Sequence, residues 1–285
     1  MTCESSPQRS RLRFSLRALL LATLVLSIPL AWLGARWRSA REQQQVVTKL
    51  ARFQPGVVAS QGNVKLLSLG GTEVSDRELE DVGQLVYLER LDLDSTRITD
   101  AGLPHLSQLK RLRFLSLSMT NTSDAGLAAL STLTELEDLR LAGTQITDSG
   151  MEHIAGLTQL RWLDLGLTRV GDSGLARLGR LTNLRRLYIR SSLITDGGLD
   201  YLRAFPGLQF LGLNGTLVTD AGLAKLGCLQ QLETLWLHHT VVSDAGLAHL
   251  AALRNLNQLE LAETFVTDEG IARLKRQLPQ LRVLR

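Results

Sequence analysis

The chain alternates two hydrophobic rhythms. In Leu136-Glu137-Asp138-Leu139-Arg140-Leu141-Ala142-Gly143-Thr144 the apolar residues come every second position, which predicts a strand with its leucines on one side. In Gly102-Leu103-x-x-Leu106-x-x-Leu109-x-x-Leu112 they come every third, which predicts a short one-sided helix. The two rhythms follow one another with a period of 24 residues, marked by Asp76, Asp100, Asp124, Asp148, Asp172, Asp196, Asp220, Asp244 and Asp268. A fixed period of this size predicts stacked repeats. Because a helix returns the chain each time, successive strands must be parallel. Nine strands spaced by about 4.8 Å then form one continuous sheet. The wider helices curve the stack and leave the sheet on the concave side.

The turns carry the polar part of the pattern. Thr99 or Asp100, and their counterparts, stand where a helix N-cap is needed. Thr72, Thr96, Thr120, Thr144, Thr168, Ser192, Thr216, Thr240 and Thr264 form a column where the chain leaves the strand. Their hydroxyls can satisfy buried turn backbone. No base accompanies any of them, so they are not nucleophiles. The last unit ends at Leu278-Pro279-Gln280-Leu281 and Arg285, with hardly a cap, which predicts a partly open apolar end.

Once packing positions are set aside, the outward strand positions remain, four in every 24. They hold five of the nine repeat-region aromatics: Phe114, Trp162, Tyr188, Phe210 and Trp236. Exposed aromatics on one face point to a partner surface. Their neighbours in the same columns are Arg140, Asp164, Arg186, Arg190, Asn214, His238, His239 and Glu260. The candidate partner-binding set is therefore Phe114, Arg140, Trp162, Asp164, Arg186, Tyr188, Arg190, Phe210, Asn214, Trp236 and His238. The competing reading is that the rings only stack on each other and stiffen the sheet.

Charge changes the picture at the N-terminus. Residues 1–52 hold nine Lys/Arg and two Asp/Glu, whereas residues 53–285 hold 23 and 26. The repeats are thus mildly acidic, a poor match for nucleic acid. Within the basic segment, Ala18 to Ala35 is apolar and uncharged, with Arg13 and Arg17 before it and Arg36 and Arg38 after. Such a run spans about 27 Å as a helix, enough for a bilayer core. Leu33-Gly34-Ala35 lacks a small-x-small cleavage site, which favours an uncleaved anchor over a secretory signal. The expected organisation is a basic tail 1–17, a transmembrane helix 18–37, a helical stem and N-terminal cap 38–60 with Val46, Val47, Leu50, Phe53, Val57 and Val58, and repeats over 61–285. The short basic tail places the repeats outside the cytoplasm.

Chemistry is sparse. Cys3 and Cys228 allow no disulfide framework, and Cys228 reads as a buried filler beside a helix. His105, His153 and His249 fall in different units, too far apart to share a metal. His238, His239, Glu260 and Glu263 form the one conceivable ligand cluster, but adjacent strand residues point apart. No cofactor, metal or catalytic set is expected.

These units resemble leucine-rich repeats of the 24-residue kind, with Thr at the usual Asn/Cys position and an Ile-Thr-Asp-x-Gly-Leu signature. The resemblance covers residues 64–285 and implies an α/β leucine-rich repeat solenoid. Similar repeats occur in F-box-type adaptors, although no F-box segment is visible here. The N-terminus, Arg13-Phe14-Ser15-Leu16-Arg17-Ala18-Leu19-Leu20, resembles that of bacterial membrane-anchored leucine-rich repeat proteins. The resemblance implies binding of a protein or cell-envelope partner; a structural, self-assembling role and a substrate-recognition adaptor role are the alternatives.

Overall fold

A computed structural model describes residues 40–60 and 62–285. The expected tail and transmembrane helix lie outside the described residues. Among the described residues, no helix is long and apolar enough to cross a membrane.

Eleven strands form one sheet in sequence order: β1 (Gly56–Ser60), β2 (Asn63–Ser68), β3 (Arg90–Asp92), β4 (Phe114–Ser116), β5 (Asp138–Arg140), β6 (Trp162–Asp164), β7 (Arg186–Tyr188), β8 (Phe210–Gly212), β9 (Thr234–Trp236), β10 (Gln258–Glu260) and β11 (Arg282–Leu284). From β2 to β11 every pairing is parallel, and from β2 to β10 the partners are 24 residues apart, as in Leu91↔Leu115 and Leu139↔Leu163. The expectation of nine strands is too low by the two flanking ones. β1 is antiparallel to β2, and β11 adds a parallel strand after the last full unit.

A leucine core runs the whole length of the stack, with Leu91, Leu115, Leu139, Leu163, Leu187, Leu211 and Leu235 all fully buried. At its N-terminal end lies α1 (residues 40–50), which buries Val46 and Leu50 in that core and packs Val47 against it. Gln43 joins α1 to β2, donating to Asn63 Oδ1 at 3.0 Å and accepting the Val64 N–H at 2.6 Å. Val58, expected to pack with this end, is instead 56% exposed, because β1 turns it outward. At the other end the helix Asp268–Gln277 buries Leu274, and Leu278 and Leu281 follow it into the core. That end is better covered than its sequence suggested, although Phe265 stays 71% and Leu284 44% exposed.

The helical segments are mixed. Leu103–Gln108 and Gly198–Ala204 are 3-10 helices, whereas Asp76–Val82 and Asp124–Leu130 are α-helices. An apolar residue at every third position suits the three-residue turn of the tighter helix.

The recurring aspartate is not the helix cap expected of it. Asp100 Oδ1 accepts the backbone N–H of Ser123 at 2.7 Å, and its Oδ2 accepts the Ser123 hydroxyl. The same double bond joins Asp76 to Thr99, Asp124 to Thr147, Asp172 to Thr195, Asp196 to Thr219, Asp220 to Ser243 and Asp244 to Thr267. Each carboxylate thus staples its unit to the next. The hydroxyl does the capping: Thr147, Thr219, Ser243 and Thr267 each accept a helix N–H. The glycine two residues after each aspartate from Asp100 to Asp268 follows from the staple, and Asp76, in the first unit, has Glu78 there instead. A Cβ at Gly126 or Gly246 would collide with the carboxylate of Asp100 or Asp220. Asp268 has no following unit, and Arg285 Nη1 binds it at 2.5 Å.

The threonine column does supply turn backbone. Each hydroxyl donates to the carbonyl three residues earlier, from Thr72 to Leu69 through Thr264 to Leu261. Thr122, which replaces the usual Ile or Val, is fully buried and shares a 2.9 Å hydrogen bond with Thr120. Cys228, read as a buried filler, is exposed.

Candidate functional site

Parallel register brings residues 24 apart side by side, so the outward positions become columns across the sheet. One column runs Arg90, Phe114, Asp138, Trp162, Arg186, Phe210. The next runs Asp92, Ser116, Arg140, Asp164, Tyr188, Gly212, Trp236.

The five aromatics join into one row. Phe114 lies between two guanidiniums, Arg90 at 4.0 Å and Arg140 at 4.9 Å from its ring centre. Arg140 also covers one side of Trp162 at 4.4 Å, and Arg186 approaches the same ring at 4.8 Å. Trp162 stacks with Tyr188 at 5.5 Å and Tyr188 with Phe210 at 4.2 Å. Trp236 meets Phe210 at 4.7 Å and Tyr188 at 5.8 Å, edge to face. The ring faces are therefore engaged with one another and with arginines, an arrangement worth about 0.5–1.5 kcal/mol per pair beyond burial.

What the row leaves unmatched is polar. Trp162 Nε1, Trp236 Nε1 and Asn214 Oδ1 are buried and find no hydrogen-bond partner among the described residues. A buried polar atom without a partner costs about 1–3 kcal/mol. Arg140 is satisfied, donating from Nε and Nη2 to the two oxygens of Asp138 at 3.2 and 3.1 Å. Asp164 accepts the Gly166 N–H at 2.9 Å. Burial pushes both the Asp138 and Asp164 carboxyls above the usual aspartate range, against the pull of Arg140 and of the Gly166 N–H. Burial likewise raises the Tyr188 phenol. His238 lies 3.5 Å from Glu260, and His239 2.8 Å from Glu263. Among the described residues, no group of three or more His, Cys, Asp or Glu side chains could hold a metal ion.

The structure thus places Arg140, Trp162, Asp164, Arg186, Tyr188, Arg190, Phe210, Trp236 and His238 on the open sheet face. Phe114 and Asn214, expected there as exposed residues, are only 7% accessible each. Phe114 is enclosed by its two arginines. Arg90 and Asp138 belong to the row but escaped the residue pattern. Both stand in the first outward column, in register with Phe114 and Trp162.

The strand-exit edge holds residues that the pattern did not single out. The column just after the threonines reads Glu73, Arg97, Asn121, Gln145 and Arg169, then switches to Leu193, Leu217, Val241 and Phe265. These last four are 55–71% exposed.

With eleven strands stacked in register around a leucine core, the fold is a leucine-rich repeat solenoid. The leucine-rich repeat region model matches residues 57–285, and the chain belongs to the leucine-rich repeat family. Two solved structures share the fold. Internalin C2 from Listeria monocytogenes is 26% identical over 79% of this chain and 92% of its own, with a TM-score of 0.58. A leucine-rich repeat protein of Leptospira interrogans is 20% identical over 72% of this chain and 56% of its own, with a TM-score of 0.54. No curated protein sequence matches the chain.

Proposed function

We propose that the chain is a binding protein whose outward sheet face, from β4 to β9, seats a protein partner. The fold supports protein–protein interaction in general. The observation that favours this face is the set of orphaned polar atoms in the aromatic row, Trp162 Nε1, Trp236 Nε1 and Asn214 Oδ1. A shift of the rings on docking that brings these atoms to polar groups of a partner recovers that cost. The apolar segment 18–37 is proposed to anchor the chain in a membrane, with the repeats outside the cytoplasm; a compartment-sensitive reporter fused after Arg285 tests this.

The site is tested by crosslinked capture from native membrane with Trp162→Phe and Trp236→Phe together. These changes keep an aromatic ring at each position but remove the indole N–H and part of the stacked area. Capture should fall, while melting loses only about 0.5–1.5 kcal/mol per ring from the reduced ring contacts. Undiminished capture would count against the sheet face.

Self-association is the second reading. β11 is the last strand of the sheet, and Phe265 and Leu284 are exposed beside it. An unpaired strand edge of this kind can join another chain. Concentration-dependent light scattering would detect it.

A further inference from the structure

The proposed docking face is rich in donors, and its free charges are cationic. Arg186 and Arg190 flank Tyr188 on β7 and its exit. Neither makes an ion pair or hydrogen bond among the described residues; Arg186 lies over the Trp162 ring and attracts the Asp138 carboxylate from beyond ion-pair distance, as Arg190 does that of Asp164. The neighbouring carboxylates are already engaged, Asp138 by Arg140 and Asp164 by the Gly166 backbone. The Tyr188 hydroxyl, a further donor, has no hydrogen bond among the described residues. A partner surface that satisfies this set must bring acceptors, and carboxylates match a free guanidinium best.

The exposed apolar edge begins next to this cluster. Leu193 lies three residues after Arg190, and Leu217, Val241 and Phe265 continue it unit by unit. Isolated parallel bridges hold this column in register, including Gly171↔Leu193, Thr195↔Leu217 and Ser243↔Phe265. Residues 191–222 contain three acids, all engaged: Asp196 is bound to Thr219 and Asp220 to Ser243 within this turn layer, and Asp200 pairs with Lys225 on the helical side. A run of four large apolar side chains, each more than half exposed, is unusual on a surface with no partner.

Resting on the proposed binding role of the sheet face, we infer that the partner is a protein segment of acidic and apolar character. Its carboxylates meet Arg186 and Arg190, and its apolar side chains cross the exit edge over Leu193, Leu217 and Val241. Arg186, Arg190 and Leu193 belong to one unit, and the apolar edge starts there and continues through the next three, which is why one occupant covers both. Arginines at this position set encounter rate and salt sensitivity, whereas the apolar edge sets residence.

The test titrates the full chain in mild detergent with two short synthetic peptides of equal length, one alternating glutamate with leucine and one alternating lysine with leucine. Indole fluorescence reports occupation beside Trp162 and Trp236. The glutamate peptide should bind about tenfold more tightly than the lysine peptide, with an affinity that falls as salt rises. Arg186→Glu with Arg190→Glu should remove that preference. Leu217→Asp with Val241→Asp should weaken the glutamate peptide several-fold while leaving the melting curve unchanged, because both side chains are already in water. Equal binding of the two peptides, or a preference that survives the arginine reversal, overturns the inference. Undiminished binding to the Leu217/Val241 variant overturns the apolar half. If partner capture is lost in the paired indole variants but not in the arginine variants, the sheet face stands as a binding surface and the acidic partner does not.

Discussion

The strand-exit turns and the open sheet face are built from the same repeat, yet they treat polar groups in opposite ways. At the turns, each aspartate from Asp76 to Asp244 binds the backbone of the next unit, at 2.7–2.9 Å. On the sheet face, Trp162, Asn214 and Trp236 hold buried polar atoms with no partner. The turn must match an identical neighbour, so its residues recur. Among the described residues no other element covers the face, so its residues are free to vary and to be tuned for something else. Regularity in a solenoid marks what holds it together, and departures from regularity mark what it offers.

Breaking the shared core should cost most. Leu163→Ala removes a fully buried side chain and should cost about 2–5 kcal/mol in urea melts, through the cavity left behind. Breaking a staple should cost less. Asp172→Ala strands the Thr195 N–H and hydroxyl and should cost about 1–3 kcal/mol. Asp148→Ala gives a sharper version of the same test, because its partner Gly171 offers an N–H and no hydroxyl. It should cost less than Asp172→Ala, and equal losses would argue that the hydroxyl arm contributes nothing.

Acid should separate the two regions by sign. The Thr267 N–H and hydroxyl hold the Asp244 carboxyl below the usual aspartate range. Its staple is therefore present above the unfolded value and lost as pH falls through the folded one. Asp164 has the opposite sign: burial raises its folded value, so ionisation opposes folding, and the cost disappears as pH falls through that value. Asp164→Asn keeps an acceptor for Gly166 and should raise the melting temperature at neutral pH, with the gain vanishing in acid. A gain that persists in acid would place the effect elsewhere. The smallest expected change per site is the melting loss of the paired Trp162→Phe and Trp236→Phe variant, about 0.5–1.5 kcal/mol per ring, and a larger drop there would mean that the rings chiefly stiffen the sheet.

Much of this was legible in the residues. Leu139 and Leu163 point inward because they sit at alternate positions of a strand, and the 24-residue period makes the strands parallel. The threonine column's service to turn carbonyls follows from its place at the strand exit. The staple was not legible, because Asp100 and its partner Ser123 belong to different units. A carboxylate before a helix reads as a local cap until the next turn is brought beside it. The two end strands were not legible from the nine aspartates: β1 is antiparallel and outside the period, and β11 keeps the 24-residue register with β10 but has no aspartate of its own after it.

The sequence by itself determined the repeat, its parallel stacking and the columns in which Trp162, Tyr188, Phe210 and Trp236 would meet, since all of these follow from periodicity. Only the tertiary structure decided which groups in those columns satisfy one another. It engages the faces of the aromatic rings and pairs Arg140 with Asp138. It leaves Arg186, Arg190 and two indole N–H groups without hydrogen-bond partners among the described residues. Those outcomes depend on distances between side chains of adjacent units, and a one-dimensional pattern carries the order of its residues but not those distances.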